Sequence, residues 1–167
     1  ISGRTPTAER VWDMQKILDW ALKDSRINRE MIIMTGNSGG GVLTAYTSAL
    51  DERIKVSLPS CSFTSITSNN GYIFHCDCCV IPGIKDWGNF RDLGGLIAPR
   101  RLLIVHGTKD SLHSKIDVER TTNAIKAIYS DRKASDKMSM RWGESGHQFY
   151  PDIMWPFIQK ALAGISK

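Results

Sequence analysis

The stretch MIIMTGNSGGGVLTAYTSAL, Met31 to Leu50, constrains the fold more than any other part of the chain. Met31–Thr35 is a short apolar run that ends at a glycine-rich turn. Such a run predicts a strand covered on both faces of a parallel sheet. Gly36-Asn37-Ser38-Gly39-Gly40 then matches G-x-S-x-G, and a helical pattern runs from Gly40 to Leu50. A serine on so tight a turn requires small neighbours, because strand and helix backbones approach closely there. The turn is not a phosphate-binding P-loop, since no Lys-Ser/Thr pair follows the glycines.

The rest of the chain repeats this alternation. TPTAERVWDMQKILDWALKDSR opens with Thr5 as a cap and Pro6 in the first turn. Val11, Met14, Ile17, Leu18, Ala21 and Leu22 follow at helical spacing. RIKVSLPSC predicts a second strand interrupted by Pro59, and RLLIVHG a third, buried one. SKIDVERTTNAIKAIYS predicts a helix with Val118, Ile125, Ile128 and Tyr129 on one stripe. KMSMRW alternates like a half-covered strand, and PDIMWPFIQKALAG closes as a helix bent at Pro156 and ended by Gly164. Strands alternating with helices predict an α/β fold, a mainly parallel sheet of about four strands with helices on both faces. With 167 residues, no repeat and no low-complexity linker, residues 1–167 read as one domain. Residues 62–98 read as an irregular insertion, which in a compact domain usually serves function.

Ligands of such sheets bind beyond the carboxyl ends of the strands. Ser38 follows the first strand there, Asp110 lies in the loop after RLLIVHG, and His147 in the loop after KMSMRW. The chain order Ser38, Asp110, His147 is that of an α/β-hydrolase catalytic triad, with the Gly39 N–H as an oxyanion donor. His106 competes for the base but sits at a strand end, where packing is its expected role. His113 follows Asp110 too closely to reach the serine, and Asp117 falls early in a predicted helix.

Composition excludes other classes. No apolar run reaches the roughly 18 residues of a membrane helix. The net charge is +5, but the basic residues are scattered in runs no longer than Arg100-Arg101, so no nucleic-acid footprint is expected. The first residue is Ile1 and no signal segment follows it, which predicts a processed product or fragment. Three of the four cysteines crowd into HCDCC, His75 to Cys79. One reading is a metal site of His75, Cys76, Cys78 and Cys79. The favoured reading is a loop flanking the pocket, because adjacent cysteines rarely ligate one ion and no second pair lies at zinc spacing. No metal or cofactor is therefore expected.

TGNSGGG, LIAPRRLLIVHGTKD and GHQFYPDIMWPFIQKAL resemble the C-terminal half of α/β-hydrolases of the acetyl xylan esterase-like, dienelactone-hydrolase-related group. ERVWDMQKILDWA resembles the helix before the nucleophile strand of that group, and HCDCCVIPGI a loop of these esterases. The resemblance implies a serine esterase for short acyl esters, above all acetyl groups on carbohydrate, with Ser38 as nucleophile, His147 as base and Asp110 orienting it. It also implies a second oxyanion donor from an upstream loop, before Ile1, and is compatible with a secreted or periplasmic setting. Peptidases of the prolyl-oligopeptidase type share the elbow and the residue order, and an interaction or metal-binding module built on HCDCC is the non-enzymatic alternative. With the upstream half absent, Met31–Thr35 is expected at the sheet edge, capped by a second copy in a homodimer or by a chain carrying the missing half.

Overall fold

In a computed structural model, described over residues 3–66 and 80–164, four strands form one sheet in the order β1-β2-β3-β4, every pair parallel. The strands are β1 (Ile32–Asn37), β2 (Ile54–Ser60), β3 (Arg101–Gly107) and β4 (Met138–Gly143). The helices are α1 (Pro6–Ala21), α2 (Gly39–Leu50), α3 (Phe90–Ile97), α4 (Lys115–Asp131) and α5 (Pro151–Ala163).

Parallel strands joined by crossovers of one hand, advancing in one direction, leave every connecting helix on the same face. The core follows this rule. Val11 of α1, Val42 and Ala45 of α2, Ile97 of α3 and Ile125 and Tyr129 of α4 pack with Leu102 and Ile104 of β3. The opposite face is covered by α5, whose Met154, Ile158 and Ala161 pack on Val56, Leu58, Leu103 and Val105. The alternation Leu102-Leu103-Ile104-Val105 thus serves both faces, and each such buried aliphatic side chain contributes roughly 1.5–3 kcal/mol.

The strand between Arg101 and Gly107 and the helices around Thr5, Ser38 and Lys115 match the sequence expectation. The Thr5 hydroxyl accepts from the Ala8 N–H at 3.2 Å, capping α1. Several expectations are corrected. β1 is less buried than expected: it touches α2 and, through Ile33 and Thr35, the α5 side, but it lies at the sheet edge, paired among the described residues only to β2, and every one of its residues keeps some exposure. The edge position itself matches the sequence expectation. The stripe of α1 is only partly used, for Val11 and Leu18 are buried while Ile17 is 51% exposed. β2 runs through Pro59 instead of stopping there. Pro59 pairs opposite Gly36 on the β1 side, and the ladder to β3 lapses between Ser57 and Ser60, where a missing N–H costs nothing.

The region 62–98 is not irregular throughout. α3 begins at Asn89 with a reciprocal cap: the Asn89 side chain accepts from the Phe90 N–H at 2.8 Å, and the Asp92 carboxylate accepts from the Asn89 N–H at 2.7 Å. Phe90, Gly94 and Ile97 are its buried face. The HCDCC stretch lies outside the described residues. Among the described residues no helix is long and apolar enough to cross a membrane.

Candidate active site

All strand C-terminal ends lie along one edge of this sheet, and the sequence candidates gather there. Ser38 sits between β1 and α2 with φ 56° and ψ −120°, a conformation that costs a non-glycine residue on the order of 1–3 kcal/mol. It occupies the N-cap position, yet its hydroxyl makes no capping bond. A serine there ordinarily gains about 1 kcal/mol by capping. The site therefore forgoes cap energy and tolerates backbone strain, and the hydroxyl is not consumed by the helix.

The close approach at this turn is real, but its glycines are not the expected set. A Cβ on Gly36 would stand 2.3 Å from the Gly40 carbonyl oxygen. One on Gly41 would stand 2.4 Å from Ser62 Oγ and 2.6 Å from the Ser60 carbonyl oxygen. Gly40, the second glycine of the G-x-S-x-G match, has open space around its Cβ position. Gly36 and Gly41 are the residues the geometry demands.

The first intrahelical bond of α2 runs from the Val42 N–H to the Ser38 carbonyl at 2.9 Å. The N–H groups of Gly39 to Gly41 consequently have no intrahelical acceptor. Together with the positive end of the helix dipole they form an environment suited to a developing oxyanion beside Ser38.

Asp110 and His147 are brought together by two loops zipped along each other. The Thr108 N–H donates to the Gly143 carbonyl at 2.8 Å, and the Lys109 N–H to the Ser145 carbonyl at 3.0 Å. Gly107 permits this contact, since a Cβ there would lie 2.2 Å from the Gly146 carbonyl oxygen. The result is a 2.9 Å hydrogen bond from His147 Nδ1 to Asp110 Oδ2. Oδ1 of Asp110 accepts from the Leu112 N–H, also at 2.9 Å. The Asp110 side chain is 1% exposed and that of His147 23%. Burial works against the Asp110 charge, but the hydrogen bonds from His147 and Leu112 and the neighbouring histidines outweigh it, holding the carboxyl below its ordinary range. Asp110 is thus an acceptor-only anion, which selects the His147 tautomer with its proton on Nδ1.

His147 Nε2, left as the acceptor, is buried and has no hydrogen-bond partner among the described residues. The expected Ser38–His147 hydrogen bond is therefore not made here. Such bonds often tighten only when substrate is bound.

Of the competing residues, His106 is packed, as its strand-end position suggested. His106 is fully buried on the α2–α4 face, with Nε2 donating to the Phe63 carbonyl at 3.0 Å. Burial, helped by His113, drives its pKa down to about 3, so it is neutral. His113 is buried between the other two histidines, its Nε2 3.0 Å from the Cys61 carbonyl oxygen and its ring centroid 5.7 Å from that of His147. Asp117 lies in the first turn of α4 and pairs with Arg120 at 3.6 Å.

The end of β2 supplies residues that sequence reasoning missed. The Ser38 N–H donates to the Ser60 carbonyl at 2.9 Å, while the Ser60 hydroxyl donates to the Gln148 carbonyl at 3.2 Å. Ser60 therefore ties the serine turn to the residue after His147. Cys61, fully buried with φ 46°, donates its thiol to the same Gln148 carbonyl at 3.4 Å, and its N–H to the Val105 carbonyl at 2.8 Å. The only signal in the sequence was position, just past a strand on the ligand-binding edge.

A parallel sheet with a strained serine turn, then a carboxylate loop, then a histidine loop at its carboxyl edge is a partial α/β-hydrolase fold. No protein-family model matches the chain. Over 155 residues it is 26% identical to a Bacillus subtilis (strain 168) protein named "Putative hydrolase YtaP", covering 88% of this chain and 50% of that protein. Among solved structures it is similar to a carbohydrate esterase family 15 glucuronoyl esterase from Caldicellulosiruptor kristjansonii, with TM-score 0.77 and 19% identity, over 92% of this chain and 49% of that one. It is also similar to the glucuronoyl esterase catalytic domain from Hypocrea jecorina, with TM-score 0.74 and 21% identity, over 92% of this chain and 51% of the other. Methylesterase BT1017 gives TM-score 0.74 and 23% identity, over 96% of this chain and 37% of its own. The chain thus spans about half the length of these relatives, 50% and 49% for the first of each kind.

Proposed function

We propose that this chain carries the catalytic centre of a serine carboxylic-ester hydrolase. Ser38 attacks the ester carbonyl, and His147 takes its proton through Nε2. Asp110 holds the imidazole in orientation and stabilises its cationic form. The Gly39 N–H, at the start of α2, donates to the oxyanion. His147 then returns its proton to the leaving alcohol and activates the water that frees the enzyme. The observation that carries this reading is the 2.9 Å pairing of His147 with a buried Asp110, at the same sheet edge as a strained serine whose hydroxyl does not cap its helix.

The substrate is a carbohydrate ester, with acetyl groups on a polysaccharide as the first version. A second version is favoured by the structural relatives, named as glucuronoyl esterases and a methylesterase. In it the sugar contributes the acid side of the ester, as a uronate. Intact mass after treatment with a fluorophosphonate tests the nucleophile, with one adduct expected at Ser38. No adduct at Ser38, on this chain and on a longer protein containing it, would refute the assignment. Acetylated xylan compared with a methyl glucuronate separates the two versions.

A further inference from the structure

The triad pair has a third neighbour that ester hydrolysis does not use. Cys61 follows β2, Asp110 follows β3 and His147 follows β4, so consecutive strands deliver a thiol, a carboxylate and an imidazole to one point. One donor atom from each lies within 4.8 Å of the other two. Around a single tetrahedral zinc, ligand atoms stand roughly 3.3–3.7 Å apart, given bonds of about 2.0–2.3 Å. The 2.9 Å between His147 Nδ1 and Asp110 Oδ2 needs only a slight opening to meet that spacing. Donor atoms within 4.8 Å of one another need to draw together by about an ångström to reach that spacing. A mixed sulfur, nitrogen and oxygen set suits a borderline-soft divalent cation and disfavours magnesium or calcium. Supporting bonds exist already, as the Leu112 N–H holds Asp110 Oδ1 and the Cys61 carbonyl faces His113. His147 is the partly exposed member of the three, with 23% of its side chain accessible.

We propose that Cys61, Asp110 and His147 form a zinc-binding site whose occupation switches the esterase off. The protons balance without any redox step. Zinc replaces the Cys61 thiol proton, which leaves to solvent, and bonds to His147 Nδ1 in place of the proton shared with Asp110. That second proton moves to Nε2 by tautomerisation. Nε2 then carries hydrogen and can no longer accept the Ser38 proton. The metal would occupy the space between base and acid and lock the imidazole in the unproductive tautomer. Binding itself is independent of the esterase reading, whereas the inhibition rests on it.

Cobalt(II) is the probe, because a thiolate–cobalt bond gives a near-ultraviolet charge-transfer band. The Cys76→Ser/Cys78→Ser/Cys79→Ser variant leaves Cys61 as its one thiol. One equivalent of cobalt per chain is expected to give the band, and zinc to abolish it. Adding Cys61→Ser is expected to remove it. No band in the triple variant, or a band that survives Cys61→Ser, overturns the proposal. Should the triple variant not fold, Cys61→Ser in the parent background is expected to lower bound cobalt by one equivalent, and unchanged stoichiometry overturns it. With binding established, zinc is expected to cut fluorophosphonate labelling of Ser38 at least tenfold, reversibly with chelator. Labelling unaffected by bound zinc refutes the switch, while absence of labelling in metal-free protein, on this chain and on a longer protein containing it, refutes the esterase reading and leaves the site standing.

Discussion

The Tyr150 hydroxyl donates to the Gly146 carbonyl at 2.6 Å, one residue before His147. The ring is wedged beneath the loop, so closely that a Cβ on Gly143 would lie 2.0 Å from its Cε1. Tyr150 thus braces the loop from the α5 side, while Ser60 and Cys61 hold it from β2. Tyr150→Phe keeps the wedge and loses the bond, at about 1 kcal/mol of stability. If the brace positions His147, kcat is expected to fall about tenfold with KM little changed, measured with a chromogenic short-chain ester. A fall in stability with no change in kcat would make the brace purely structural.

Asp110→Asn keeps the size of the side chain but lets the amide donate where only an acceptor served. The His147 tautomer inverts. A loss in kcat of roughly three to four orders of magnitude is expected, by analogy with the same change in serine proteases. Activity within tenfold of the parent would show that Asp110 does not orient the base.

The glycines of the serine turn should separate cleanly. Gly41→Ala must push its methyl into the Ser60 carbonyl and Ser62 Oγ, and Gly36→Ala into the Gly40 carbonyl. Each is expected to destabilise by several kcal/mol or to prevent folding, because backbone atoms cannot yield cheaply. Gly40→Ala meets nothing, and is expected to be neutral or to stabilise by up to about 1 kcal/mol through helix propensity. Urea denaturation of the three variants checks the order.

His106 makes stability pH-dependent. Its folded pKa of about 3 lies below its unfolded value near 6.5. The unfolded chain therefore binds a proton that the folded chain refuses. Its stabilising contribution is complete above about pH 6.5 and is lost as pH falls toward 3, at about 1.4 kcal/mol per pH unit. His106→Gln, which keeps a donor toward Phe63, is expected to flatten this limb in urea midpoints taken across that range. An unchanged slope would mean that His106 is protonated in the fold.

The β1 edge should associate. Among the described residues its backbone pairs on one side only, and on α1 Trp12 is 56% and Trp20 75% exposed. Light scattering at low micromolar concentration is expected to give a dimer, with a separate segment adding a strand at this edge as the competing cover. A clean monomer would show that the edge is protected in another way.

Much of the fold was legible because parallel α/β architecture is written locally. RLLIVHG is apolar without a break from Leu102 to Val105, so it had to be buried on both faces. Thr5-Pro6 marks a helix start wherever it packs. The reading of residues 62–98 as irregular passed over the capping pair Asn89 and Asp92, because two glycines and a short apolar face hid the helix that follows. Pro59 misled for a different reason. Proline bars a strand only where its N–H is required, and that depends on the neighbouring ladder.

The triad candidates were legible by themselves because order and strand ends suffice: any parallel sheet delivers its carboxyl-end loops to one edge. The sequence determined that Ser38, Asp110 and His147 would share that edge. Only the tertiary structure decided how they are held. Ser60 reaches Gln148 across 88 residues, Cys61 reaches it across 87, and Gly107 admits the Gly146 carbonyl. These contacts depend on the paths of two loops over the ends of three strands. No local pattern encodes such a path, because it is set by the summed packing of α4 and α5 on opposite faces of the sheet.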